Sequence, residues 1–204
     1  MGRLSRIYQG IEVVNLRQLD ALNGPIVELN RILTKTENEI STLNAVLKQQ
    51  SANIQDAQFL LANKTVSAMV QKLNGYAEDV FEAQRAVEQL FYNIMGFEPT
   101  GAYKTNFANY RRIDFTYQIP NIDPTKVILT KSAYIAAYQG MDNFKSEIEK
   151  LARRLMSITT DGWRDAQSSC FQGFCGNIAG DLIKYLEILV QYKNYLGGRI
   201  NNWP

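Results

Sequence analysis

The chain has 204 residues, 46% of them apolar, with a formal net charge of +2, so it is too apolar for disorder and long enough for one or two buried cores. Its lysines and arginines are interspersed with acids instead of gathering in runs, and no nucleic-acid partner is indicated. Histidine is absent, which removes the usual general base at neutral pH, the Ser-His and Cys-His pairs and the commonest metal ligand, and leaves only enzymatic routes run by Asp, Glu, Lys or Tyr.

The N-terminal stretch MGRLSRIYQG has two arginines but no apolar core behind them, so it does not read as a secretory signal. Gly2 is followed by Arg6 where a myristoylation motif wants serine or threonine, and Ser5 stands one place early. No apolar run approaches the length of a membrane span. The expected location is intracellular or virion-associated unless a signal was removed.

Asn15 is placed to cap a short helix through Leu22, which Asn23-Gly24-Pro25 interrupts. A second helix is expected from Pro25 to about Ala62, on the order of 55 Å long. It carries the chain's strongest pattern, a heptad seam of Leu22, Ile26, Leu29, Leu33, Thr36, Ile40, Leu43, Leu47, Gln50, Ile54, Ala57 and Leu61. A rod with one apolar stripe needs a partner to bury it, so the seam is expected to be an interface. Polar Thr36 and Gln50 on the seam are expected to set register.

At Ala62-Asn63-Lys64-Thr65 the phase slips, and Val66, Met69, Leu73, Tyr76, Val80, Ala83, Val87, Leu90 and Ile94 form a new series. A stutter in one helix is favoured over a hairpin corner. Asn74-Gly75 leaves the phase undisturbed and reads as a soft spot. Asn63-Lys64-Thr65 also matches the glycosylation sequon, but inside a helical pattern it is read as a chance match.

The helix is expected to end near Gly96, where the composition turns aromatic: Phe97, Tyr103, Phe107, Tyr110, Phe115 and Tyr117, with Pro99, Gly101, Pro120 and Pro124 nearby. Alternation at Ile113, Phe115, Tyr117 and Ile119 predicts a half-buried strand, with Val127-Ile128-Leu129 as its candidate mate. The rings either cap the bundle as a satellite core or form a contact surface, and the contact reading favours a protein partner. A third helix is predicted from about Lys131 to Met156, then a linker over Ser157 to Gly162, an irregular segment after Trp163, and a last helix from about Asn177 to Leu196 stopped by Gly197-Gly198.

Cys170 and Cys175 are the only cysteines; a small disulfide loop and two free thiols are both open, and two thiolates alone do not complete a structural zinc site. Glu147 and Glu149, like Glu78, Asp79 and Glu82, fall on solvated helix faces beside basic partners and read as surface charge, not catalysis. No cofactor or metal motif is present.

The sum is a mostly α, elongated helical bundle with coiled-coil-like long helices and a short aromatic, partly extended, β-like insert. Its divisions are a rod (1–96), the insert (97–130) and returning helices (131–204). A long helix, an irregular mid-chain appendage and two returning helices resembles the layout of the minor pilins of type IV secretion systems, and Gly10-Ile11-Glu12-Val13-Val14 is similar to the mature start of some of them. Phage structural proteins that pack helical rods share that layout, as helical pore-forming toxins do in general architecture. The functional expectation is a non-enzymatic structural or assembly subunit of a virion or secretion-type apparatus, binding copies of itself or other subunits. The alternative is a membrane-active helical protein of pore-forming or minor-pilin-like type.

Overall fold

The structure, a computed structural model, describes residues 4–9, 11, 16–96, 111–126, 128–163 and 166–203. The chain is a helical bundle with five described helices, α1 (Leu4–Gln9), α2 (Leu16–Gln50), α3 (Ala57–Met95), α4 (Lys131–Met156) and α5 (Ala166–Asn201), and two short strands, β1 (Ile54–Gln55) and β2 (Ile128–Leu129).

The third expected helix is α4, with the expected bounds. Tyr134, Met141, Phe144, Ile148, Leu151 and Leu155 are buried on one face, the three-and-four spacing of an amphipathic helix. Gly96, at φ 75°, ends α3, and its N–H meets the Tyr92 carbonyl at 2.8 Å; glycine takes this left-handed cap without steric cost.

Elsewhere the chain departs from the pattern. α2 passes through Pro25 without stopping. Proline removes one ladder donor and crowds the preceding turn; here the Tyr8 hydroxyl donates to the Leu22 carbonyl at 3.0 Å, which supports the backbone beside the lesion. The rod expected to reach Ala62 ends at Gln50. Ser51 and Asn53 turn the chain, with the Asn53 N–H on the Gln50 carbonyl at 2.9 Å, and Asp56 then starts α3. The heptad series runs across this corner by coincidence: Ile54 is buried in the ladder, while Leu61 is 52% exposed.

Near Asn63 there is no hairpin corner: α3 runs through it and through Asn74-Gly75 as one continuous helix, the favoured of the two readings. The apparent slip arises because an inward position is polar. Phe59, Ala62, Asn63, Val66, Met69, Val70 and Leu73 are all buried, and Asn63 is fully so, which also leaves its sequon without an accessible acceptor. α5 begins at Ala166 instead of near Asn177, because Phe171, Cys175, Ile178 and Leu182 already form a buried helical face. It also continues past Gly197-Gly198. At Gly197 an added Cβ would lie 3.3 Å from the Tyr138 ring, so that glycine serves close packing and not termination.

The chain divides into two compact units, Met1–Thr34 with Asn74–Asp114 and Arg153–Ala179, and Lys35–Leu73 with Phe115–Ala152 and Gly180–Pro204. In the first, Glu28 of α2 pairs with Arg154 of α4, and Tyr76 of α3 meets Phe174 of α5 edge-on at 5.5 Å. Tyr8, Trp163 and Phe171 pack in sequence with tilted rings, centroids 5.4 and 5.7 Å apart. In the second unit, β1 and β2 pair antiparallel with Ile54 opposite Leu129 and Gln55 opposite Ile128. α3 and α4 therefore begin at the same ladder. Tyr134 against Trp203 and Asp142 against Lys193 align α4 antiparallel to α5, and Phe59 against Tyr192 with Lys72 against Asp181 does the same for α3 and α5.

Candidate functional site

Seven of the seam residues, Leu22, Ile26, Leu29, Leu33, Ile40, Leu43 and Leu47, are buried within this chain. Thr36 is buried with them, Gln50 is half-buried, and Ala57 is exposed on α3 with Leu61. The stripe that seemed to require a second molecule is thus buried within this chain.

The densest polar constellation gathers at the corner between α2 and α3, in the second unit. Asp56 Oδ1 accepts the Phe59 N–H at 2.6 Å, the N-cap bond of α3. Its Oδ2 accepts the Tyr134 hydroxyl of α4 at 2.9 Å and the Tyr195 hydroxyl of α5 at 3.2 Å. One carboxylate thus ties three helices. Beside it, the Gln55 side chain accepts the Asp123 N–H at 2.5 Å and donates to the carbonyls of Ser51 and Asn121, fastening residues 121–123 to the corner. Asn63 Nδ2 donates to the Phe59 carbonyl at 2.7 Å while its Oδ1 accepts the Tyr117 hydroxyl at 2.6 Å.

This geometry decides between the two readings of the aromatic segment where it is described, in favour of core. Ile113 and Phe115 are buried and alternate with exposed Asp114 and Thr116, so the two-residue period is real. Yet residues 111–120 form no described ladder, and β2 pairs with β1 instead. Phe115 is core, and Tyr117 is a half-buried tether, not a contact surface. Phe97, Tyr103, Phe107 and Tyr110 lie outside the described residues.

Burial pushes the phenols of Tyr117, Tyr134 and Tyr192 above the ordinary tyrosine range; the Asp56 charge adds to the effect for Tyr134 and Tyr192. All three are held neutral, and Tyr117 and Tyr134 donate. Tyr192 stacks on Tyr195 at 6.1 Å and its buried hydroxyl has no partner among the described residues. Both oxygens of Asp56 accept hydrogen bonds, so the cluster clamps α3, α4 and α5 together. The signal for it lay in the sequence as Ser51, Asn53 and Asp56 within six positions before an apolar run, a turn and N-cap pattern masked by the heptad phase.

The first unit holds a cleft of 360 Å³ beside the proline, lined by Asp20, Ala21, Gly24, Pro25, Glu28, Arg154 and residues 157–159 and 161. In the same unit α1 docks through Asp79. Its carboxylate accepts the N–H groups of Leu4 and Ser5 and, at 2.7 Å, the Ser5 hydroxyl. Asp79 was expected on a solvated face; it instead caps another helix.

Both cysteines are free, Cys170 exposed and Cys175 buried. Five positions along a helix separate their directions by well over a quarter turn, so no loop closes, and burial pushes the Cys175 thiol up to about 12. Glu147 and Glu149 pair with Lys150 and Lys145 along α4 at 2.6 and 2.9 Å. Among the described residues no group of three or more His, Cys, Asp or Glu is placed to hold a metal, and no helix is long and apolar enough to cross a membrane. No family model matches the chain, and no curated protein or solved structure is detectably similar to it.

Proposed function

We propose that the protein is a non-enzymatic structural or assembly subunit of a larger macromolecular complex, of virion or secretion-apparatus type, that binds copies of itself or other subunits through its helical faces. The observation that carries this reading is the use made of its polar side chains. Asp56, Gln55, Asn63 and Asp79 all take part in hydrogen bonds with other segments of the same chain, fixing helix ends and the segment around Asp123. Large apolar side chains left outside, Leu61 on α3 and Met156 at 75% exposure on α4, are suited to contacts with another surface.

Light scattering coupled to size exclusion over a range of concentrations tests it. The expected result is a species at an integer multiple of 23.2 kDa that Leu61→Asp weakens without loss of helical circular dichroism. A strict monomer that is retained on anionic vesicles would replace this reading with the membrane-active one.

A further inference from the structure

The N-terminal helix is the element whose position is least explained by its own sequence. α1 has six residues, far below the roughly 12–15 at which an isolated helix is even marginally stable in water, so it is helical because of where it sits. Its seat is specific. Leu4 and Tyr8 are fully buried, two of its first backbone N–H groups end on one carboxylate, Asp79, the Tyr8 hydroxyl meets the Leu22 carbonyl next to the proline turn, and the Tyr8 ring packs on Trp163. The seat therefore demands an occupant: emptied, it leaves Asp79 without its donors, the Leu22 carbonyl without the hydroxyl, and an aromatic wall facing water.

We propose that α1 is an exchangeable strap, and that copies of this chain associate by seating the α1 of one in the Asp79–Leu22–Trp163 groove of another. The occupant is identified by the groove itself, since the sequence that fills it is α1 and every copy carries it. Residues 10–15 join α1 to α2, a connection that spans at most about 20 Å when extended. The own strap competes at an effective concentration of order mM, so exchange is weak in dilute solution. It becomes favourable where copies are crowded side by side, because the bonds made and broken are the same. The inference rests on the assembly reading above and names one contact for it.

Complementation tests the exchange. Asp79→Ala gives a chain with a defective groove and an intact strap; Leu4→Asp combined with Tyr8→Ala gives a defective strap and an intact groove. Mixed at high concentration, the two are expected to form a one-to-one complex of twice the mass of either, which neither forms alone, read by native mass spectrometry. Should Asp79→Ala lose its helical signal, Asp79→Asn replaces it.

A second measurement needs no defective chain. In a Cys170→Ser background, Arg6→Cys carrying a donor dye is mixed with Glu82→Cys carrying an acceptor, both at exposed positions. Energy transfer that grows with time and concentration is expected. A mixture that stays at the single-chain mass with no transfer overturns the exchange. If the unmodified chain nonetheless assembles, the assembly reading stands without it; if it stays monomeric at every concentration, both fall.

Discussion

Removing the Asp56 carboxylate is the sharpest perturbation of the fold that the structure offers. Asp56→Ala deletes the N-cap of α3, worth about 1 kcal/mol, and orphans the hydroxyl of Tyr134, whose side chain is fully buried; a buried donor without an acceptor costs about 1–3 kcal/mol. Tyr195 is only half-buried and turns to water at little cost. The expected loss is about 3 kcal/mol, measured by urea unfolding followed by far-ultraviolet circular dichroism. Tyr134→Phe alone removes one bond to a charged acceptor and is expected to cost about 1.5 kcal/mol. The double variant no longer contains the orphaned hydroxyl, so its loss falls short of the sum by about 1–2 kcal/mol, the signature of coupled partners. A cost for Asp56→Ala under about 0.5 kcal/mol, or a strictly additive cycle, refutes the clamp.

Leu33, Ile40 and Leu47 are buried to within 1%, and each is expected to cost about 2–5 kcal/mol on truncation to Ala, whereas Glu147→Gln and Glu149→Gln, at partly exposed pairs, change stability by no more than about 0.5 kcal/mol each. Equal effects in a denaturation series contradict that assignment. At Gly140 a new Cβ would lie 2.9 Å from Val46 Cγ1, a stiff β-branched neighbour, so Gly140→Ala lowers the melting temperature and Val46→Ala restores part of it. Gly173, Gly176 and Gly180 meet nothing within 4 Å, so alanine at each raises stability by roughly 0.5–1 kcal/mol through helix propensity; a fall at those sites argues for a close contact there. A thiol reagent at pH 8 is expected to modify Cys170 in the native chain and Cys175 only after unfolding, because burial holds that thiol protonated; equal rates break the prediction. For Tyr117, Tyr134 and Tyr192 the folded pKa is raised, so their contribution is complete below the unfolded value near 10 and is lost as pH rises beyond it. Tyrosinate absorbance from these three is therefore expected to appear together with loss of helical signal, and its appearance in a still-folded chain counts against their burial.

The sequence by itself determined that the chain is helical, which residues of α2 and α4 turn inward, and where α4 begins and ends. Those follow from local periodicity: Leu29, Leu33 and Ile40, or Tyr134, Met141 and Phe144, recur at helical spacing whatever covers them. The cover itself was a tertiary decision. A heptad seam reads identically whether its partner is another molecule or the rest of its own chain, and only the folded chain shows the seam buried within it. The corner at 51–56 was hidden because Ile54 kept the heptad phase across it, and Asn63 mimicked a slip because an inward asparagine reads as a polar position until Tyr117 and the Phe59 carbonyl are seen to satisfy it. Pro25 and Gly197 were read as stops from local preference; Tyr8 and Tyr138, far away in sequence, turned one into a supported turn and the other into a packing notch. Periodicity is a property of neighbours along the chain, whereas hydrogen bonds accepted by Asp56 and Asp79 join residues more than seventy positions apart, and no local pattern encodes which distant donors a carboxylate will meet.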